Sequence, residues 1–139
     1  MKYPFVLGGV AVLLLALLAA CGGTTSSGSN QVNVTLSDFK IQSSQTAFTP
    51  GTTYHFVVNN NGKVAHEFMI MPMEMNMGNV SMDEMHKMAL AMIDNVNPGE
   101  TKTLDYTFTQ SNAGNQLEFA CHLSGHYEAG MHQAITASS

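Results

Sequence analysis

Alternating hydrophobicity over several short segments, turn chemistry between them and one helix-start signature predict an all-β, Greek-key β-sandwich with a single short inserted helix. The first strand begins at Gln31, where Val32, Val34 and Leu36 alternate with polar residues. Phe48 precedes the turn signal Pro50-Gly51, and Tyr54, Phe56 and Val58 then alternate in a second clear strand. Asn59-Asn60-Asn61-Gly62 turns the chain into Val64–Met71, which sets His66, Phe68 and Ile70 on one face. Asn97-Pro98-Gly99-Glu100 leads into Thr101–Thr109, where Leu104, Tyr106 and Phe108 share a face. Gln116–Cys121 aligns Leu117, Phe119 and Cys121 in the same way, and Met131–Ala137 is the last strand. The helix is announced by Ser81-Met82-Asp83-Glu84, a capping box with Ser81 as N-cap and Glu84 three residues on. Met82, Met85, Met88, Ala89 and Met92 follow at helical spacing, so the helix is expected to continue to Asn95, about three turns.

The 139 residues suffice for one domain, and the first twenty read as something else. Lys2 precedes the apolar run Val10–Ala20, which is short for a membrane span and ends in small residues, as a secretory signal does. Leu18-Ala19-Ala20-Cys21 resembles the bacterial lipobox, which implies cleavage before Cys21 and acylation of its thiol. Residues 1–20 are therefore expected to be a lipoprotein signal peptide, 21–30 the lipidated Cys and a Gly/Ser/Thr tether, and 31–139 the folded domain. The expected location is extracytoplasmic, anchored by lipid to a bacterial cell membrane on its periplasmic or outer face. A net charge of −5 and the absence of arginine argue against nucleic acid, which needs a basic footprint. The chain is expected to act as a monomer. If lipid consumes Cys21, Cys121 is left as a lone thiol in an oxidising compartment, a liability unless it is buried or bound.

Its neighbours supply a reason to bind. Cys121, His126 and Met131 form a C-x4-H-x4-M loop carrying a thiolate, an imidazole and a thioether between two strands. A soft thiolate, imidazoles and a weak axial thioether make a type 1 (blue) copper site. The second imidazole must come from elsewhere, and His66, early in its strand and on the face of Phe68 and Ile70, is the natural donor. Zinc sites rarely use Met, and a binuclear copper centre would need a second Cys in the loop. At these residues the chain resembles the cupredoxins, in spacing more azurin than plastocyanin, over roughly Gln31–Thr136. The resemblance implies a cupredoxin-like sandwich and one copper ion held by His66, Cys121, His126 and, weakly, Met131. It departs from the family at Glu67, where azurins and plastocyanins usually carry an Asn that supports the ligand loop. His122 and His132 follow ligands directly and should point the other way, His55 is out of phase with its strand's apolar face, and His86 lies on the methionine helix.

Nine methionines fall between Met69 and Met92; five of them, from Met69 to Met77, alternate strictly. Packing or a docking surface is the leading expectation for them, with a thioether Cu(I) site as the alternative. The function expected is the carriage of single electrons between membrane-associated redox proteins. The alternative is copper tolerance or Cu(I) delivery using residues 69–92. Enzymatic activity is not expected, because copper catalysis needs a separate open site and the chain offers no second histidine cluster for one.

Overall fold

The computed structural model describes residues 30–73 and 80–138. The expected signal peptide, Cys21 and nearly all of the expected tether, with Met75 and Met77, lie outside the described residues. The element order is β1 (Gln31–Ser37), β2 (Lys40–Ser43), β3 (Ala47–Phe48), β4 (Thr53–Asn60), β5 (His66–Pro72), α1 (Met82–Met88), β6 (Ala91–Val96), β7 (Thr101–Thr107), β8 (Gln116–Ala120) and β9 (His132–Ala137). One sheet runs β2-β1-β4-β7 and the other β3-β9-β8-β5-β6, the two layers of the predicted sandwich. The pairing is not wholly antiparallel: β1 lies parallel to β4, and β3 to β9.

Strict alternation explains the core. Val32, Val34 and Leu36 of β1 and Tyr54, Phe56 and Val58 of β4 point inward from one sheet. Phe68 and Ile70 of β5 meet them from the other, with Leu117 and Phe119 of β8 and Ile135 and Ala137 of β9. Phe48, Phe56, Phe68, Phe108 and Phe119 form a connected aromatic centre in which Phe48 stacks on Phe108 with ring centroids 4.5 Å apart. Such pairs contribute about 0.5–1.5 kcal/mol each beyond area burial, so this centre rigidifies both sheets.

The helix is shorter than its periodicity predicts. The capping box forms as read, the Ser81 hydroxyl accepting from Glu84 N–H and the Glu84 carboxylate from Ser81 N–H. However, α1 stops at Met88, Ala89 turns to extended backbone, and Ala91–Val96 becomes β6. Pairing with β5 buries Ile93 and Val96, which a continued helix would carry away from the sheet. Tertiary pairing therefore overrides the local helical pattern.

Candidate metal centre

Three of the four side chains singled out from sequence converge at one end of the sandwich. His66 is the first residue of β5, and Cys121 directly follows β8. His66 Nδ1 lies 3.2 Å from His126 Nδ1, which in turn lies 3.4 Å from Cys121 Sγ. The three donor atoms all fall within 4.8 Å of one another. His66 and Cys121 are fully buried, whereas His126 is partly exposed. Both rings thus turn Nδ1 inward, so two imidazole nitrogens and a sulfur share one small volume. That donor set suits a soft or borderline transition metal. Met131 is fully buried too, and its backbone is held to both neighbours: Cys121 N–H donates to Met131 O and Met131 N–H to His126 O.

The surroundings fix these side chains. His66 Nε2 is buried with no hydrogen-bond partner and faces Gly62, with Asp38 Oδ1 3.7 Å away. A Cβ at Gly62 would sit 2.9 Å from His66 Nε2, so glycine is required by close approach there. Asn60, fully buried, ties this turn together by donating to Val64 O and Val96 O at 2.8 Å each and accepting from Gly62 N–H. Burial holds the His66 imidazole below its ordinary range, the neighbouring His126 adds to this, and Asp38 opposes it. Burial pushes the Cys121 thiol up, partly offset by the N–H groups of Glu67 and Leu123. A bound metal would deprotonate that thiol outright.

Glu67, the departure from the family pattern, still supports the ligand loop. It is fully buried on the opposite face of β5 from His66. Its Oε1 accepts from His122 N–H at 2.7 Å, and its own N–H donates to Cys121 Sγ at 3.5 Å. Its Oε2 meets His86 Nε2 of α1 at 3.2 Å, so the carboxylate also links that helix to the loop. His122 does point away from the cluster, yet it is buried, stacked on Tyr127, which stacks in turn on His132. Beneath them Glu118 accepts from the Tyr127 hydroxyl, and burial with that neighbouring carboxylate pushes the phenol up to about 12. His55 is exposed and pairs with Asp105. Sequence reasoning missed Asp38 and Phe39, the two-residue turn between β1 and β2. Phe39 is 47% exposed and lies edge-on to the His126 ring at 5.3 Å, its positive φ of 62° being the only local oddity.

Two β layers of this topology, with a His-Cys-His cluster at one end, give the chain a cupredoxin-like fold. Auracyanin from Roseiflexus castenholzii superposes with a TM-score of 0.59, at 17% identity, covering 80% of this chain and 98% of that one. An azurin from Methylomonas sp. strain J gives 0.58, at 15% identity, over 78% and 98%. No family model matches the chain. In sequence it is similar to the copper-resistant cuproprotein CopI of Vibrio cholerae, 37% identical over 95 residues, 62% of this chain and 51% of that protein. It is also similar to the copper-resistant cuproprotein CopI of Pseudomonas aeruginosa, 29% identical over 147 residues, 78% and 76% of the two chains. The chain thus spans about half the length of the Vibrio relative.

Proposed function

We propose that this chain is an extracytoplasmic type 1 copper protein, with His66, Cys121 and His126 as the strong ligands and Met131 as the weak axial one. The observation that carries the reading is the meeting of two Nδ1 atoms and the thiol in one small volume, with His66 and Cys121 fully buried. Bound there, copper supplies a one-electron couple. The chain's part is to hold the donors between rigid strands, so that neither oxidation state demands rearrangement, and to keep bulk water off His66 and Cys121. His126 is the exposed end of the cluster, with Phe39 beside it as an apolar contact for a redox partner. Reconstitution with Cu(II) tests this: an intense visible thiolate-to-copper band is expected, and Cys121→Ser abolishes it. A protein that stays colourless and takes zinc instead refutes the assignment.

Copper tolerance is the second reading of the same site, favoured by the two relatives named copper-resistant cuproproteins. A deletion strain separates the two. Restoration of growth in copper by wild type but not by Cys121→Ser supports tolerance; equal growth with a lost respiratory or photosynthetic electron flux supports electron carriage. Lipid anchoring through Cys21 rests on Leu18-Ala19-Ala20-Cys21. The intact mass of native protein should carry acyl chains, and an unmodified Cys21 rules the anchor out.

A further inference from the structure

The turn between β1 and β2 sets one residue against each imidazole of the metal centre. Asp38 approaches His66 Nε2, and Phe39 lies edge-on to the His126 ring. We infer that Asp38 is a positioning residue: its carboxylate backs His66 at the ring nitrogen remote from the metal, fixes the tautomer that presents a bare Nδ1, and makes this imidazole the more basic of the two. The inference rests on the type 1 reading and goes beyond it by giving the two imidazoles unequal roles.

His66 is the ring that needs such a partner. Its Nδ1 turns toward His126 Nδ1 and the Cys121 thiol, so ligation uses the Nδ1 lone pair and the ring proton must reside on Nε2. That Nε2 is buried and has no hydrogen-bond partner among the described residues. A buried donor left without an acceptor is destabilising, and one carboxylate comes near it: Asp38 Oδ1, at 3.7 Å. A water linking the two atoms would hold them about 4.5 Å apart, so the approach is direct. Gly62 keeps the gap open, since a Cβ there would lie 2.5 Å from Asp38 Oδ1 and 2.9 Å from His66 Nε2. The same oxygen accepts from Lys63 N–H at 2.7 Å, which pins it in place and holds the carboxyl below its ordinary range. Asp38 is therefore a fixed anion aimed at His66. His126 is served differently. It meets the His66 ring, Cys121 Sγ and the Phe39 ring, and among the described residues no carboxylate pairs with it. A carboxylate on the far nitrogen raises the basicity of a ligating imidazole, and a stronger donor favours Cu(II) over Cu(I). Asp38 thus lowers the reduction potential through His66, while the partly exposed His126 carries no such bias.

The tautomer is read without metal. In apo full chain in detergent, isotope-labelled at the histidine nitrogens, NMR should find the His66 proton on Nε2, and Asp38→Ala should give a mixture with the Nδ1–H form. An Nδ1–H ring in wild type, or a tautomer indifferent to Asp38→Ala, overturns the inference whatever metal the site takes. Charge is read in the copper-loaded protein by voltammetry and metal competition. Asp38→Asn keeps the side chain's size and an oxygen for Lys63 N–H but removes the anion. It should weaken Cu(II) binding about ten-fold more than Cu(I) binding, which is a rise in potential of about 59 mV. Glu128→Gln removes the same charge from an exposed position on the ligand loop and should move the potential less. Equal losses for the two oxidation states, or equal shifts in the two variants, overturn the role of Asp38. A wild-type chain with no visible copper band counts against the type 1 reading instead, because the apo tautomer still decides what Asp38 does.

Discussion

Gly62→Ala is the smallest change that should disturb the metal centre without touching a ligand. Gly62 does not have the positive φ that would demand glycine, so backbone strain is not the issue. Crowding is: the added Cβ would lie 2.5 Å from Asp38 Oδ1, 2.9 Å from His66 Nε2 and 3.0 Å from Asn60 Oδ1. Asn60 cannot yield, being fully buried and pinned by two bonds of 2.8 Å to Val64 O and Val96 O. The His66 ring is rigid and can retreat only toward His126, already 3.2 Å away at Nδ1. Asp38 is the softest neighbour, but moving it gives up its bond to Lys63 N–H at 2.7 Å. Overpacking of this kind costs about 1–3 kcal/mol. For a domain of this size that corresponds to a Tm lower by roughly 5–20 °C. Urea unfolding of the apo-protein reads the cost, and the copper visible band reads the displacement of His66. Asp38→Ala removes the closest atom, so the double variant should lose less stability than the two single variants together. A Gly62→Ala protein within about 0.5 kcal/mol of wild type, or two strictly additive changes, would show that the turn is not packed as described.

Four further outcomes follow from single side chains. Glu67→Ala strips the buried His122 N–H of its acceptor and should cost about 1–3 kcal/mol in denaturant unfolding, while Glu67→Gln keeps that acceptor and should cost clearly less. Met131→Leu should retain copper and raise the reduction potential in voltammetry, because it removes a weak donor that favours Cu(II). Ser81→Ala removes the α1 cap and should speed amide exchange within α1 roughly five-fold while leaving the sheets unchanged. Hydrogen bonds from Ser81 hold the Glu84 carboxyl below its usual range. Its contribution to α1 is therefore complete above the ordinary carboxylate range and lost as pH falls through the depressed value, visible as a fall in α1 amide protection, relative to unstructured exchange at the same pH, before the sheets respond.

Much of this architecture is written in short-range pattern. Period-two alternation in Val32-Val34-Leu36, Tyr54-Phe56-Val58 and Leu117-Phe119 assigns strands and their inward faces, because the pleat repeats every two residues whatever lies opposite. The donor types at His66, Cys121 and His126, and the spacing within the loop, point to soft-metal chemistry before any coordinates. The Ser81 capping box is equally local. What sequence alone could not decide depends on neighbours distant along the chain. The helical methionine spacing continues through Met92, yet Ala91–Val96 is a strand, since pairing with β5 buries Ile93 and Val96. The parallel pairings of β1 with β4 and of β3 with β9 leave no periodic trace in either partner. Asp38 and Gly62 matter only because two turns close over one face of His66, and Glu67 only because His122 and His86 arrive at its two oxygens. Local repeats fix which way a side chain points; close approach between separate turns, which decides what it meets, is a property of the assembled sandwich.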